Sequence, residues 1–305
     1  MQTTSHLLMI RPVNFTFNAE TAVNNAFQAS GQDSHAQENA LNEFDEFVKV
    51  LKANQVDVTV VEDSPEPYTP DSIFPNNWVS FHSNGTICLY PMFAPNRRLE
   101  RKQTVLDIIF SKFKVNKIVD FSYYENEKRF LEGTGSMVLD RDERIAYACL
   151  SPRTDKKALQ DFCKTMGYKP VVFEAVDKDK QQIYHSNVMM CVADKYVVAC
   201  TDSMHKKDEK KKFIETVHES GKKLFKISMD QMYHFAGNML QVENANKEKL
   251  LVMSSQAYKS LTKDQLKKLG KYNKIIHSKL KTIETNGGGS ARCMMAEIHL
   301  PIKGK

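Results

Sequence analysis

The sequence predicts an α/β fold built from five related units, and three observations carry that reading. Short apolar strands alternate with longer amphipathic stretches. Five segments open on small or polar residues and continue as an apolar strand. Their starts fall roughly 50 to 56 residues apart, a period that marks repeated supersecondary units.

Taken in order, "AVNNAFQ" and "AQENALNEFDEFVKVLKAN" read as the first helical region. Leu41, Phe44, Val48 and Leu51 stand at helical spacing there, and "VDVTVVE" follows as a strand. "RRLERKQTVLDIIFSKF" reads as the next helix and "KIVDFS" as its strand. "TDKKALQDFCKTMGY", "HKKDEKKKFIETVHESGKK" and "TKDQLKKLGKY" are further helices, each leading to a short apolar segment.

The five related segments are "FPNNWVSFHSNGTICLYP" from Phe74, "FLEGTGSMVLDRDERIAYACLSP" from Phe130 and "IYHSNVMMCVADKYVVACTD" from Ile183, then "FAGNMLQVENANKEKLLVMSSQ" from Phe235 and "NGGGSARCMMAEIHLP" from Asn286. In the first four, a turn leads into a second strand. Five such units predict a closed pseudo-fivefold ring with strands inside and helices outside. The small-residue starts then converge near the axis, where bulky side chains cannot all fit. No Pro/Gly/Ser-rich linker interrupts the chain, so residues 1–305 are expected to form one domain.

A chain of 305 residues with 41% hydrophobic and 26% charged residues is expected to be a soluble globular protein. Its net charge of +6 comes largely from lysine-rich helical stretches, which read as solvated faces, so no nucleic-acid partner is expected. Six cysteines without CxxC spacing, no basic-then-apolar leader and no membrane-length apolar run predict a reduced, cytoplasmic protein without a membrane partner. The nine histidines lack paired ligand spacing, and neither GxGxxG nor a Walker pattern occurs, so no metal or other cofactor is expected.

The converging starts bring together Asn76 and Asn77, Glu132, His185 and Asn187, Gly237 and Asn238, and Cys293. A thiolate nucleophile, an imidazole that moves protons and a carboxylate that orients it form a coherent catalytic set. Arg292 and a protonated His185 would favour the thiolate. The glycines before Cys293 would let substrate approach the backbone, with N–H groups free to hold developing negative charge.

"EGTGS", "HSN" and "GGGSARCMMAEIHLP" resemble the guanidine-modifying, or pentein, superfamily, and the similarity runs from "HLLMIRPVNF" to Pro301. "PDSIFPNNWVSFH" with "NGGGSARCM" looks closest to its amidinotransferase-labelled branch, which includes citrulline-utilisation hydrolases. The resemblance implies a five-bladed α/β propeller, with Cys293 as nucleophile, His185 as acid–base and Glu132 as its carboxylate partner.

Guanidine hydrolases of this superfamily commonly carry aspartates where this chain has Asn77 and Asn187. An amide both donates and accepts, which suits a neutral ureido group better than a guanidinium. The expected substrate is therefore citrulline, cleaved to ornithine, carbon dioxide and ammonia. Asp71 is a candidate for the substrate's α-ammonium, and Asn76 for a further polar contact. Arg97, Arg98, Arg129 and Arg292 are candidates for its carboxylate. The competing readings are an arginine deiminase or dihydrolase, an amidinotransferase, and a non-catalytic pentein that binds a macromolecule, as ribosome anti-association factors do. A homo-oligomer is left open.

Overall fold

The computed structural model describes residues 1–29 and 34–304. Its strands are β1 (His6–Arg11), β2 (Asp57–Glu62), β3 (Val79–Phe81), β4 (Thr86–Leu89), β5 (Lys117–Asp120), β6 (Met137–Asp140), β7 (Ile145–Cys149) and β8 (Lys169–Phe173). They continue as β9 (Met190–Val192), β10 (Tyr196–Ala199), β11 (Lys223–Lys226), β12 (Leu240–Glu243), β13 (Lys249–Ser254), β14 (Lys274–Ser278) and β15 (Ala296–Glu297).

These strands form five three-stranded sheets. Four share one plan: an antiparallel pair, then a helical crossover to a parallel third strand, as in β6–β7–β8. The crossover through Lys156–Met166 shows why the chain folds this way locally. Asp155 caps the helix through the Lys157 and Ala158 N–H groups, and Gly167 ends it in the left-handed region. Leu159, Phe162, Cys163 and Met166 lie buried on one face.

The fifth sheet joins the two ends of the chain. β15 is only two residues long and pairs antiparallel with β1, which pairs in parallel with β2 across the helix Ala36–Ala53. β15 contacts β3, β6 contacts β9, and β9 contacts β12, so neighbouring sheets meet through their short first strands. Buried Gln2 ties two sheets together by donating to the carbonyls of Leu139 and Val192. Thr3 and Thr4 reach Glu243 and the Ile298 carbonyl.

Two expected helices are shorter than the sequence suggests. Of "AVNNAFQ" only Ala22 is helical, as the end of the short helix Ala19–Ala22, because the Asn25 side chain turns to the Phe27 N–H and that of Asn24 to Arg153. The long stretch from Arg97 splits into Pro95–Arg98 and Gln103–Lys112. Arg97 is drawn into the interior while Arg98 and Arg101 pair with Glu125 outside it, and one continuous helix cannot serve both. Among the described residues, no helix is long and apolar enough to cross a membrane.

Candidate active site

Each first strand is entered through a helical turn or tight loop, and these entries carry the site. They are Pro75–Asn77, Gly133–Ser136, Ser186–Met189, the turn at Phe235–Asn238 and the turn before β15. Close approach demands glycine here. Gly133 has φ +47°, and a Cβ on it would strike the Asn76 and Asn77 carbonyls. A Cβ on Gly135 would meet the Asn77 amide at 2.5 Å and His185 Nδ1 at 2.8 Å.

Glu132 and His185, far apart in sequence, meet at 2.8 Å between Oε2 and Nε2. Both are buried. The other Glu132 oxygen accepts from the Phe93 N–H at 2.9 Å. Arg153 stands 3.6 Å and Arg97 3.9 Å from Glu132 Oε2. Burial works against ionisation of Glu132, but Arg153, His185 and Arg97 outweigh it and bring the carboxyl to about 2. Burial, assisted by Arg153 and Arg97, lowers His185 to about 4 against the pull of Glu132. The resting pair is therefore a carboxylate and a neutral imidazole. With Nε2–H donated to Glu132, Nδ1 is the basic nitrogen.

Cys293 lies in the turn before β15, packed in a cluster with Phe74, Ile283, Ala291 and Met294. Two amides face its sulfur: Nδ2 of Asn238 donates at 3.3 Å and Nδ2 of Asn187 at 3.5 Å. Asn238 also accepts the Arg292 N–H at 3.0 Å and so holds the Cys293 turn from both sides. The glycine run is no linker. Gly287 and Gly289 lie against the Phe74 ring, and Gly288, with φ +63°, lies against Asn25 and Gln28.

Cys293, His185, Asn77, Asp71, Arg97 and Arg153 line one cavity, roofed by Thr21 and Asn25. Asp71 accepts from Asn18 and Thr21 through Oδ2, while its buried Oδ1 has no partner. Asn187 Oδ1 is likewise buried without a partner. Asp71 lines the cavity and offers its free acceptor there, whereas Asn187 faces the Cys293 sulfur but is not part of the cavity wall.

Other expected residues sit elsewhere. Asn76 is enclosed, bonded to Thr134 and Asn77, and does not line the cavity. Arg129 lies partly exposed and pairs with Asp155 and Glu127, so it is not a carboxylate ligand. The Arg292 guanidinium turns away from Cys293 to the Met295 carbonyl and Glu297, because β15 needs that buried carboxylate neutralised. Arg98 bonds the Met92 and Phe93 carbonyls. Arg97 lines the cavity, but its guanidinium is occupied by Glu100, at 2.8 and 2.9 Å, and by Asn77, at 2.8 Å.

Arg153 was missed. It follows the second strand of its unit, where the repeat pattern carries no signal. Its side chain lies over the Tyr184 ring and bonds Asn24 and the Thr21 carbonyl. Its NH1 is held only by the long contact to Glu132, which leaves a donor facing the cavity. Among the described residues, no group of three or more His, Cys, Asp or Glu side chains is placed to hold a metal ion.

Residues 11–300 match the family described as N,N dimethylarginine dimethylhydrolase, eukaryotic. The chain belongs to that family. It is thereby a member of the guanidine-modifying superfamily, among hydrolases of non-peptide C–N bonds. No curated protein matches the chain. Solved structures match its fold at low identity. Apo ArgZ, an arginine dihydrolase of the cyanobacterial ornithine–ammonia cycle, superposes with a TM-score of 0.75 at 17% identity, covering 98% of this chain and 41% of ArgZ. This protein thus corresponds to less than half of full-length ArgZ. The ArgZ N-terminal domain bound to substrate matches with the same score and identity over 97% of this chain and 98% of the domain. A dimethylarginine dimethylaminohydrolase variant, as an adduct with S-methyl-L-thiocitrulline, has a TM-score of 0.62 at 16% identity, over 97% of this chain and 100% of the other.

For a family hydrolase with this pair, the acid limb of kcat/KM should follow His185. A base neutral down to about 4 keeps activity well below pH 6.5, the ordinary histidine value. A pH–rate profile falling away near pH 6.5 would contradict the buried neutral imidazole.

Proposed function

We propose that this protein is a single-domain, five-bladed α/β propeller that hydrolyses the ureido group of citrulline through Cys293. The observation that carries the substrate reading is the lining around the sulfur. The sulfur is faced by the amides of Asn187 and Asn238 rather than by a carboxylate, with Asn187 Oδ1 unpartnered, while Asp71, the carboxylate in the cavity wall with a free oxygen, is assigned in this reading to the substrate's α-ammonium. A cation there would forgo charge-assisted hydrogen bonds, whereas a neutral ureido group finds both donors and an acceptor. Asn77 acts indirectly in this reading. Its Oδ1 holds Arg97 and its Nδ2 holds Asn76.

In this reading the other cavity residues hold the rest of the substrate. Asp71 Oδ1 takes the α-ammonium and Arg153 the α-carboxylate, and His185 takes the thiol proton from Cys293. The thiolate attacks the ureido carbon, and the imidazolium, stabilised by Glu132, protonates the departing amine as one C–N bond breaks. Water deprotonated by His185 then cleaves the thiocarbamate, and the second C–N bond breaks as the carbamate loses carbon dioxide. Citrulline and one water give ornithine, carbon dioxide and ammonia.

Arginine dihydrolysis is the second reading, supported by the fold shared with the substrate-bound ArgZ domain. Purified protein incubated with citrulline, arginine, agmatine and methylarginines, with ammonia and ornithine measured, separates the two. Ornithine from citrulline but not from arginine is expected. Turnover of arginine without citrulline would refute the ureido assignment.

A further inference from the structure

The short first strands begin at the catalytic residues and end on a second polar cavity of about 180 Å³. His82 and Asn84 reach it from beyond β3, Arg141 and Arg144 from the turn between β6 and β7, and His299 from beyond β15. Strands of two to four residues set this cavity on the order of 10 Å from the strand entries.

Its charges are unevenly matched. The Arg141 side chain is only 7% exposed, yet its nearest carboxylate oxygen, Oε1 of Glu297, is 3.7 Å away, beyond hydrogen-bond length. Glu297 is already engaged by Arg292 at 2.8 Å and faces His299 at 3.4 Å. Asp142, the carboxylate lining the cavity, pairs with the N-terminal amine at 3.1 Å. Arg144 stacks on Tyr168 at 5.3 Å and has a 3.5 Å bond to the Met166 carbonyl. A buried guanidinium whose one carboxylate partner is shared with Arg292 and His299 is only partly compensated, and here a polar space opens beside it.

We propose that this cavity binds a small, multiply charged oxyanion of the phosphate type. The donors converge from three separate segments, which suits oxygens spread tetrahedrally better than a planar carboxylate. Arg141 and Arg144 supply the fork-shaped contacts such oxygens accept. His82 lines the cavity and is fixed by a 2.8 Å bond between its Nε2 and the Ser80 hydroxyl. Water occupies about 30 Å³ per molecule in the liquid, so the space holds an ion of this size but not a nucleotide. The site stands independently of the catalytic reading.

The test is calorimetric titration of the full chain with inorganic phosphate at constant ionic strength, with chloride as the control. One saturable site per chain is expected, weakened about tenfold or more by Arg144→Gln and by Arg141→Gln, and unchanged by Arg153→Gln. Arg144 is exposed, so its variant keeps the test valid if Arg141→Gln fails to fold. No saturable binding, wild-type affinity in Arg144→Gln, or loss of binding in Arg153→Gln, which would put the ion in the catalytic cavity, would overturn the proposal.

Discussion

Replacing Cys293 by alanine is expected to lower turnover by about 10⁴-fold or more while leaving the fold intact. Alanine keeps the Cβ that lies close beside Gly289, so the turn before β15 retains its shape. What is lost is the sulfur held by Asn187 and Asn238; Asn238 keeps its bond to the Asn187 carbonyl, and the Asn187 amide left without its acceptor costs about 1 kcal/mol. Activity and thermal unfolding measured on the same preparation separate chemistry from stability. A variant that unfolds at the wild-type temperature and still turns over at the wild-type rate would remove Cys293 from the mechanism. The same side chain should be the one trapped by a thiol reagent. Burial raises the thiols of Cys88, Cys149, Cys163 and Cys191 to about 12, so they offer almost no thiolate at neutral pH. Cys293 is itself only 3% exposed beneath Thr21 and Asn25, so labelling should be slow and suppressed by substrate.

Glu132→Gln should damage both stability and catalysis. The carboxylate compensates Arg153 and Arg97 as well as orienting His185, and removing one partner of a buried ionic group costs about 3–5 kcal/mol. Without it the imidazolium formed during turnover loses its counter-charge, and kcat should fall by about 10²- to 10⁴-fold. Urea unfolding and steady-state kinetics read the two effects separately. The wild type should also lose stability on acidification. Both groups have folded-state values below their ordinary ones, so the unfolded chain binds protons first. The His185 contribution is lost as pH falls from 6.5 towards about 4, and that of Glu132 from 4.5 towards about 2. Gln at 132 should flatten the lower part of that decline. An unchanged acid profile together with near-wild-type kcat would show Glu132 to be a packing residue.

The repeat made much of the site legible. Asn77, Glu132, His185, Asn187, Asn238 and Cys293 stand at or beside strand entries, and a repeated unit places equivalent positions at equivalent points in space. Binding residues that belong to no repeat position were not legible. Arg129 and Arg153 follow similar chemistry in sequence, yet one pairs with Asp155 at the surface and the other lies buried over Tyr184. Likewise, nothing in "NRRLER" tells which arginine turns inward. Arg97 does so because Glu100, one helical turn on, is buried with it.

By itself, the sequence determined the α/β class, the five units and the family, and singled out Cys293, His185 and Glu132 as the proposed catalytic trio, because periodic hydrophobicity and local turn chemistry are properties of neighbours along the chain. Only the tertiary structure decided that β1 completes the fifth sheet, that segment 18–29 roofs the cavity and that Arg153 rather than Arg129 or Arg292 faces it. It also decided that His185 rests neutral. Ion pairing and desolvation depend on which charges share a buried space, and that is settled by how the five sheets pack rather than by the order of the residues.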